Sequence, residues 1–140
     1  MGLNAYFLAD TSAVARIAQH SIGARLCPLM EAGLVAGCTI TDLEAGVSAR
    51  RGREWRRTRS ARSPWPQARI DQQVLDRALD VQGAFGVQGL HRPVKIGDLV
   101  IAAAAEHAGL VILHYDRDFE RIASITNQPM EWVVPAGTAD

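Results

Sequence analysis

Asp10, Glu44, Asp98 and Asp116 are carboxylates that the chain sets at boundaries: after a short apolar run, in the first turn of an expected helix, at the start of a long apolar helix, and after an expected core strand. In a parallel sheet such boundaries converge in space, so residues far apart in the chain can share one cleft. Acids gathered in a partly dry cleft raise one another's pKa unless a cation intervenes. All-oxygen ligation, without His or Cys, favours a hard ion, Mg²⁺ or Mn²⁺, over zinc or copper. A hard ion held in this way lowers the pKa of a bound water and equips a site for phosphodiester hydrolysis.

Each acid also has a structural role open to it. Asp10 precedes Thr11 and Ser12 and can cap a helix, as Asp98 can cap the helix it opens. Thr41 and Glu44 stand at capping-box spacing, and Asp116 with Asp118 can make an ordinary turn. A cap does not forbid a metal bond through the other oxygen, and only the combination of the acids points to chemistry.

The elements that must position these acids alternate. Tyr6 to Ala9 reads as a strand, and TSAVARIA after it as a helix with Val14, Ile17 and Ala18 at helical spacing. A helix from Ala24 to Val35 buries Leu26, Leu29, Met30 and Leu34; Gly37 breaks it before a second strand, Cys38 to Ile40. Thr41 to Arg51 is expected to be helical. Ile70 to Phe85 forms an amphipathic helix with Ile70, Val74, Leu75, Ala78 and Leu79 inward and Asp71, Asp76 and Asp80 outward. A Gly-rich loop (Gly83, Gly86, Gly89) leads to Asp98 and the near-continuous apolar helix that follows it, closed by Gly109. Leu110 to Leu113 is the clearest core strand, HYDRDF turns off its end, and Glu131 to Val134 supplies a last short strand. This alternation predicts an α/β fold with a largely parallel sheet and a site at the carboxyl ends of its strands.

The charge is distributed unevenly. Fifteen basic and fifteen acidic residues sum to zero, which excludes bulk polycation binding, yet residues 50 to 62 carry seven Arg against one Glu. This stretch, with Arg50, Arg51, Arg53, Arg56 and Arg57, reads either as a solvated helix face or as a basic rim that lets an acidic metal site accept a polyanion. Trp55 and Trp65 are packing residues or stacking platforms for unpaired bases.

The chain's 140 residues, 48% of them apolar, suit one compact domain spanning 1–140. Cys27 and Cys38 form no CxxC pair and read as reduced thiols. P-loop, dinucleotide, HExxH and GxSxG motifs are missing. A phospho-acceptor domain would want an acidic pair near the first strand, where Ala9-Asp10-Thr11 offers one acid. His20, His91, His107 and His114 share no metal-ligand spacing and read as structural or solvated, His114 being the nearest to the candidate site. The start MGLNAYFLAD lacks a signal-peptide pattern, Gly2 lacks the Ser or Thr of an acylation site, and the apolar run from Leu99 to Ala105 is too short for a bilayer. A cytoplasmic protein with no membrane contact is therefore expected.

Taken in order, FLADTSA at 7–13, TITDLEAG at 39–46, KIGDLVIAAAAEHAG at 95–109 and LVILHYDRDFERIA at 110–123 resemble the PIN-domain ribonucleases, and within them the VapC-type toxins of VapBC toxin–antitoxin pairs. The resemblance implies a three-layer α/β/α sandwich and a Mg²⁺- or Mn²⁺-dependent endoribonuclease. It carries the family's acids onto Asp10, Glu44, Asp98 and Asp116, with Ser12 and Asp118 as accessory positions. It further implies a homodimer, a VapB-like antitoxin partner and a tRNA or rRNA class of substrate. The rival readings are a PIN-like nuclease acting on structured DNA or in rRNA maturation, and a catalytically silent protein-binding module.

Overall fold

A computed structural model describes residues 4–140; Gly2 lies outside them. The chain runs β1 (Phe7–Ala9), α1 (Thr11–Val14), α2 (His20–Glu31), β2 (Val35–Ala36), α3 (Thr39–Val47), α4 (Gly52–Arg62), α5 (Gln72–Val87), α6 (Ile96–Ala108), β3 (Val111–His114), α7 (Asp118–Thr126) and β4 (Met130–Trp132). All strand pairings are parallel and the sheet order is β2-β1-β3-β4.

Side-chain alternation along the strands divides the interior into two layers. In β1, Leu8 joins one cluster with Val74, Ala78 and Phe85 of α5, Ile101 and its neighbours of α6, and Phe119 and Ile122 of α7. Phe7 points the other way, into a cluster with Ala13, Ile22, Leu26, Tyr115, Val133 and Ala139. β3 repeats the division, with Ile112 in the first cluster and Leu113 in the second. Helices therefore cover both faces, as a sheet of buried parallel strands requires, and the result is the expected α/β/α sandwich.

The topology fixes where ligands can bind. From β1 the chain crosses to β2 on one side and later returns to place β3 on the other, so the carboxyl ends of β1 and β3 flank the point where the strand order reverses. Asp10 follows β1 directly, and its N–H donates to the Leu113 carbonyl at 2.8 Å, locking the two strand ends together.

Several expected boundaries are corrected. The second strand is Val35–Ala36 rather than 38–40, because Cys38 takes the extended backbone of a helix N-cap and Thr39 and Ile40 enter α3. The helix after β1 is a single turn, with a second helix starting at His20. Gly83 and Gly86 lie inside α5; only Gly89, at φ 71°, serves the loop. Leu75 and Leu79 point outward, Leu79 with 66% of its surface exposed, and Val81 and Phe85 fill the inner face instead. Asp71 is the N-cap of α5, accepting from the Val74 N–H at 3.0 Å. HYDRDF turns as expected, but α7 begins within it at Asp118, with Phe119 and Ile122 buried one turn apart. Gly109 ends α6 in the left-handed region at φ 70°, as predicted.

Candidate metal centre

Asp10, Glu44, Asp98 and Asp116 line one cleft of about 700 Å³ at the β1/β3 switch point. Asp10 and Asp98 are each 4% exposed. Oxygens of Asp98, Asp116 and Asp118 lie within 4.8 Å of one another, close enough to share a single ion. Asp118 also sits 3.7 Å from the Arg121 guanidinium.

Different local devices hold each acid. Asp10 does cap α1, its Oδ2 accepting from the Ser12 N–H at 2.9 Å. The Ser12 hydroxyl accepts from the Tyr115 N–H at 2.8 Å and ties the end of β3 to that cap. Asp116 makes the expected turn, Oδ1 accepting from the Asp118 N–H at 2.9 Å.

The capping reading of Glu44 is corrected: Thr41 stands in the first turn of α3 and its hydroxyl bonds the backbone N–H and carbonyl of Cys38. Glu44 Oε1 instead accepts from the Thr11 hydroxyl at 2.8 Å, across 33 positions of sequence. The capping reading of Asp98 is corrected too. Lys95 is the N-cap of α6, Asp98 stands in its first turn, and Asp98 Oδ2 is buried without a hydrogen-bond partner among the described residues.

The electrostatics follow from this crowding. Burial, then the charges of Asp10 and Asp116, push the Asp98 carboxyl up to about 7, against a smaller opposing pull from Lys95. Burial also raises Asp10, with hydrogen bonds from Ser12 lowering it in part and Glu44 raising it. A buried carboxylate oxygen with no donor, surrounded by other acids, costs free energy that only a proton or a cation can relieve. The donor set is all oxygen, so a hard divalent ion fits it.

His114 keeps its structural reading. Its Nδ1 accepts from the Asp116 N–H at 3.2 Å, its ring lies against Phe119 and Trp132, and burial lowers its pKa to about 4, leaving it neutral. His20, His91 and His107 are exposed.

The same cleft is lined by cations and by a C-terminal segment that sequence reading missed: Arg16, Lys95, Arg117, Trp132, Ala136, Gly137 and Asp140. Lys95 Nζ lies 3.8 Å from Asp116 Oδ2. Its signal was available, as the chain's one Lys three residues before Asp98. Nothing in the local sequence around residues 135–140 indicates that they return to the site.

Arg50, Arg51, Arg53, Arg56 and Arg57 are all exposed, on α4 or just before it. Arg62 departs from this pattern. It is buried, with Nε on Asp42 Oδ1 at 2.7 Å and Nη2 on the Thr41 hydroxyl at 3.2 Å. Trp65 is a packing residue, its ring 4.3 Å from the Arg62 guanidinium carbon, while Trp55 lies half exposed against Gly46.

The family model described as PIN domain matches residues 7–125. Ribonuclease VapC21 of Mycobacterium tuberculosis is 52% identical over 135 residues, covering 95% of this chain and 97% of the relative. Ribonuclease VapC51 of the same species is 46% identical over 134 residues, covering 96% and 97%. Among solved structures, the DNA-bound VapBC complex of Salmonella typhimurium contains a chain that superimposes with a TM-score of 0.72 at 22% identity, covering 93% of this chain and 99% of that one. At that identity the likeness concerns the fold.

Proposed function

The chain belongs to the PIN-domain family, and we propose that it is an endoribonuclease toxin of a type II toxin–antitoxin pair, dependent on Mg²⁺ with Mn²⁺ able to substitute. The observation that carries this reading is the Asp98 oxygen, buried, without a hydrogen-bond partner among the described residues and ringed by acids. The curated relatives, named as ribonucleases, supply the reaction class.

Asp10 and Asp98 would hold the ion most directly, and Glu44 and Asp116 would complete its oxygen set or orient water, with Asp118 beside Asp116. Bonds from Ser12, Thr11 and Asp118 anchor one oxygen each of Asp10, Glu44 and Asp116, so the ligands are positioned before substrate arrives. When bound, the ion supplies a water of lowered pKa and positive charge against the phosphate oxygens. Lys95 and Arg117, lining the same cleft, offset the charge that the phosphate develops during in-line attack. Arg50, Arg51, Arg53, Arg56 and Arg57 contact the RNA backbone outside the cleft.

Two partners belong to the proposal. A groove of about 270 Å³ between α3 and α4, lined by Leu43, Gly46, Trp55 and Thr58, offers apolar surface to a VapB-like antitoxin. Leu75, Leu79 and Val87, spaced along the exposed side of α5, offer surface to a second copy of the chain. Sedimentation analysis alone and with the co-expressed antitoxin tests both, and a monomer that ignores the antitoxin would refute them. No helix among the described residues is long and apolar enough to cross a membrane.

The deciding assay is RNA cleavage with Mg²⁺ and with chelator. Cleavage that requires the ion and is lost in Asp98→Asn, with folding confirmed by circular dichroism, supports the reading. Cleavage of branched DNA alone, or none by the wild type, overturns it.

A further inference from the structure

Arg16 stands apart from the other buried and half-buried arginines. Arg25, Arg62 and Arg77 each pair with a carboxylate, on Glu131, Asp42 and Glu106. Arg16 has no carboxylate within 4.0 Å among the described residues, although it lines the acidic cleft. Backbone oxygens hold it instead: Nη1 donates to the Ser12 carbonyl at 2.7 Å and Nε to the Ala139 carbonyl at 3.2 Å. The Tyr115 ring lies 4.8 Å from its guanidinium carbon. Two of the five N–H donors of a guanidinium are thus spent on fixing it, and the other three have no partner among the described residues.

The Ala139 carbonyl is itself held in place. Gln19 Nε2 donates to it at 3.1 Å, the Ala139 N–H donates to the Tyr115 hydroxyl at 2.8 Å, and that hydroxyl donates to Asp140 Oδ1 at 2.7 Å. Residues 135–140 therefore form a strap along the cleft wall whose Ala139 carbonyl aims Arg16. Lys95 lies against the acids of the cleft, 3.8 Å from Asp116 Oδ2, whereas Arg16 pairs with no carboxylate among the described residues. It lines the same cleft as the acids.

We propose that Arg16 binds a substrate phosphate adjacent to the scissile one, and that the C-terminal strap, through Ala139 and Tyr115, is the positioning element that presents it. A fixed guanidinium with free N–H groups matches the paired oxygens of a phosphodiester. Because backbone carbonyls hold it, it carries a full positive charge to the substrate with no internal anion to displace. This inference rests on the nuclease reading above and adds a binding subsite to it.

The test compares wild type, Arg16→Gln, Arg16→Lys and Tyr115→Phe in cleavage of a single-stranded RNA oligonucleotide, with Mn²⁺ affinity measured alongside. Arg16→Gln is expected to raise KM about tenfold to a hundredfold, with kcat and Mn²⁺ affinity close to wild type. The slope of log binding constant against log salt should fall by about 0.7, the loss of one phosphate contact on a single strand. Arg16→Lys should recover the salt slope but only part of KM, since an ammonium lacks the fork. Tyr115→Phe, which keeps the ring and frees the strap, should raise KM less, and its effect should largely vanish in the Arg16→Gln background. Unchanged KM and salt slope in a folded Arg16→Gln protein would overturn the proposal while leaving the nuclease reading intact. If Arg16→Gln does not fold, a wild-type KM in Tyr115→Phe together with full recovery in Arg16→Lys would overturn it. Absence of RNA cleavage by the wild type would overturn both.

Discussion

Asp42 and Asp98 are both carboxylates in the first turn of a helix, and the molecule treats them in opposite ways. Asp42 receives the Arg62 guanidinium at 2.7 Å, with side-chain exposures of 15% and 8% for the pair. Asp98 Oδ2 receives no hydrogen bond from the described residues, and Asp10, Glu44 and Asp116 surround the carboxyl instead. The difference lies in the surroundings, since both are aspartates in the first turn of a helix. A chain able to neutralise one partly buried acid with an arginine from another helix leaves the other unneutralised, at a cost in stability. Uncompensated charge of this kind is common at sites that await a ligand.

The comparison breaks first at Asp98. Asp98→Asn should lower RNA cleavage by about 10³-fold, or about 4 kcal/mol, by removing a ligand oxygen. At Asp42 the loss should appear in stability: Arg62→Met leaves a partly buried acid unpaired and should cost about 3 kcal/mol in urea denaturation, with Mn²⁺ affinity unchanged. Equal effects of the two substitutions on metal binding would erase the distinction.

A pH series sharpens the contrast. The folded Asp98 carboxyl is raised from its ordinary value of 3.8 to about 7, so the unfolded chain releases that proton first. The contribution of Asp98 to the stability of the metal-free protein is therefore largest below the unfolded pKa and falls as pH rises from about 4 to about 7, where it levels off. Thermal melts in chelator should show this fall, Mg²⁺ should oppose it, and Asp98→Asn should reduce it. Ser12→Ala is a smaller perturbation: losing the hydroxyl that accepts from the Tyr115 N–H at 2.8 Å should cost about 1 kcal/mol. Smallest of all, Arg53→Gln and Arg57→Gln should change stability by less than about 0.5 kcal/mol while weakening RNA binding in a salt-dependent manner.

The acids were legible in the sequence because each stands at the boundary of an expected element, and such boundaries converge in a parallel sheet. The roles of individual atoms were less so. Thr41 to Glu44 fits the capping-box spacing, but the helix starts two residues earlier, which leaves Glu44 for Thr11. The strand expected at 38–40 lies at Val35–Ala36 because a run of three small or β-branched residues carries no register, and the Gly37 carbonyl bonds the Ala68 N–H instead. The Arg-rich stretch looked uniform, yet Arg62 alone turns inward, a choice decided by Asp42 and Trp65 on other segments. Arg16 and residues 135–140 were invisible as site residues for the same reason: contacts across more than a hundred positions leave no local pattern.

Calorimetric titration of the metal-free protein with Mn²⁺ tests the acid cleft most directly. Saturable binding is expected for the wild type and for Arg62→Met, with its loss or severe weakening in Asp98→Asn. A wild type that takes up no ion, or a folded Asp98→Asn protein that binds as tightly as the wild type, would contradict it.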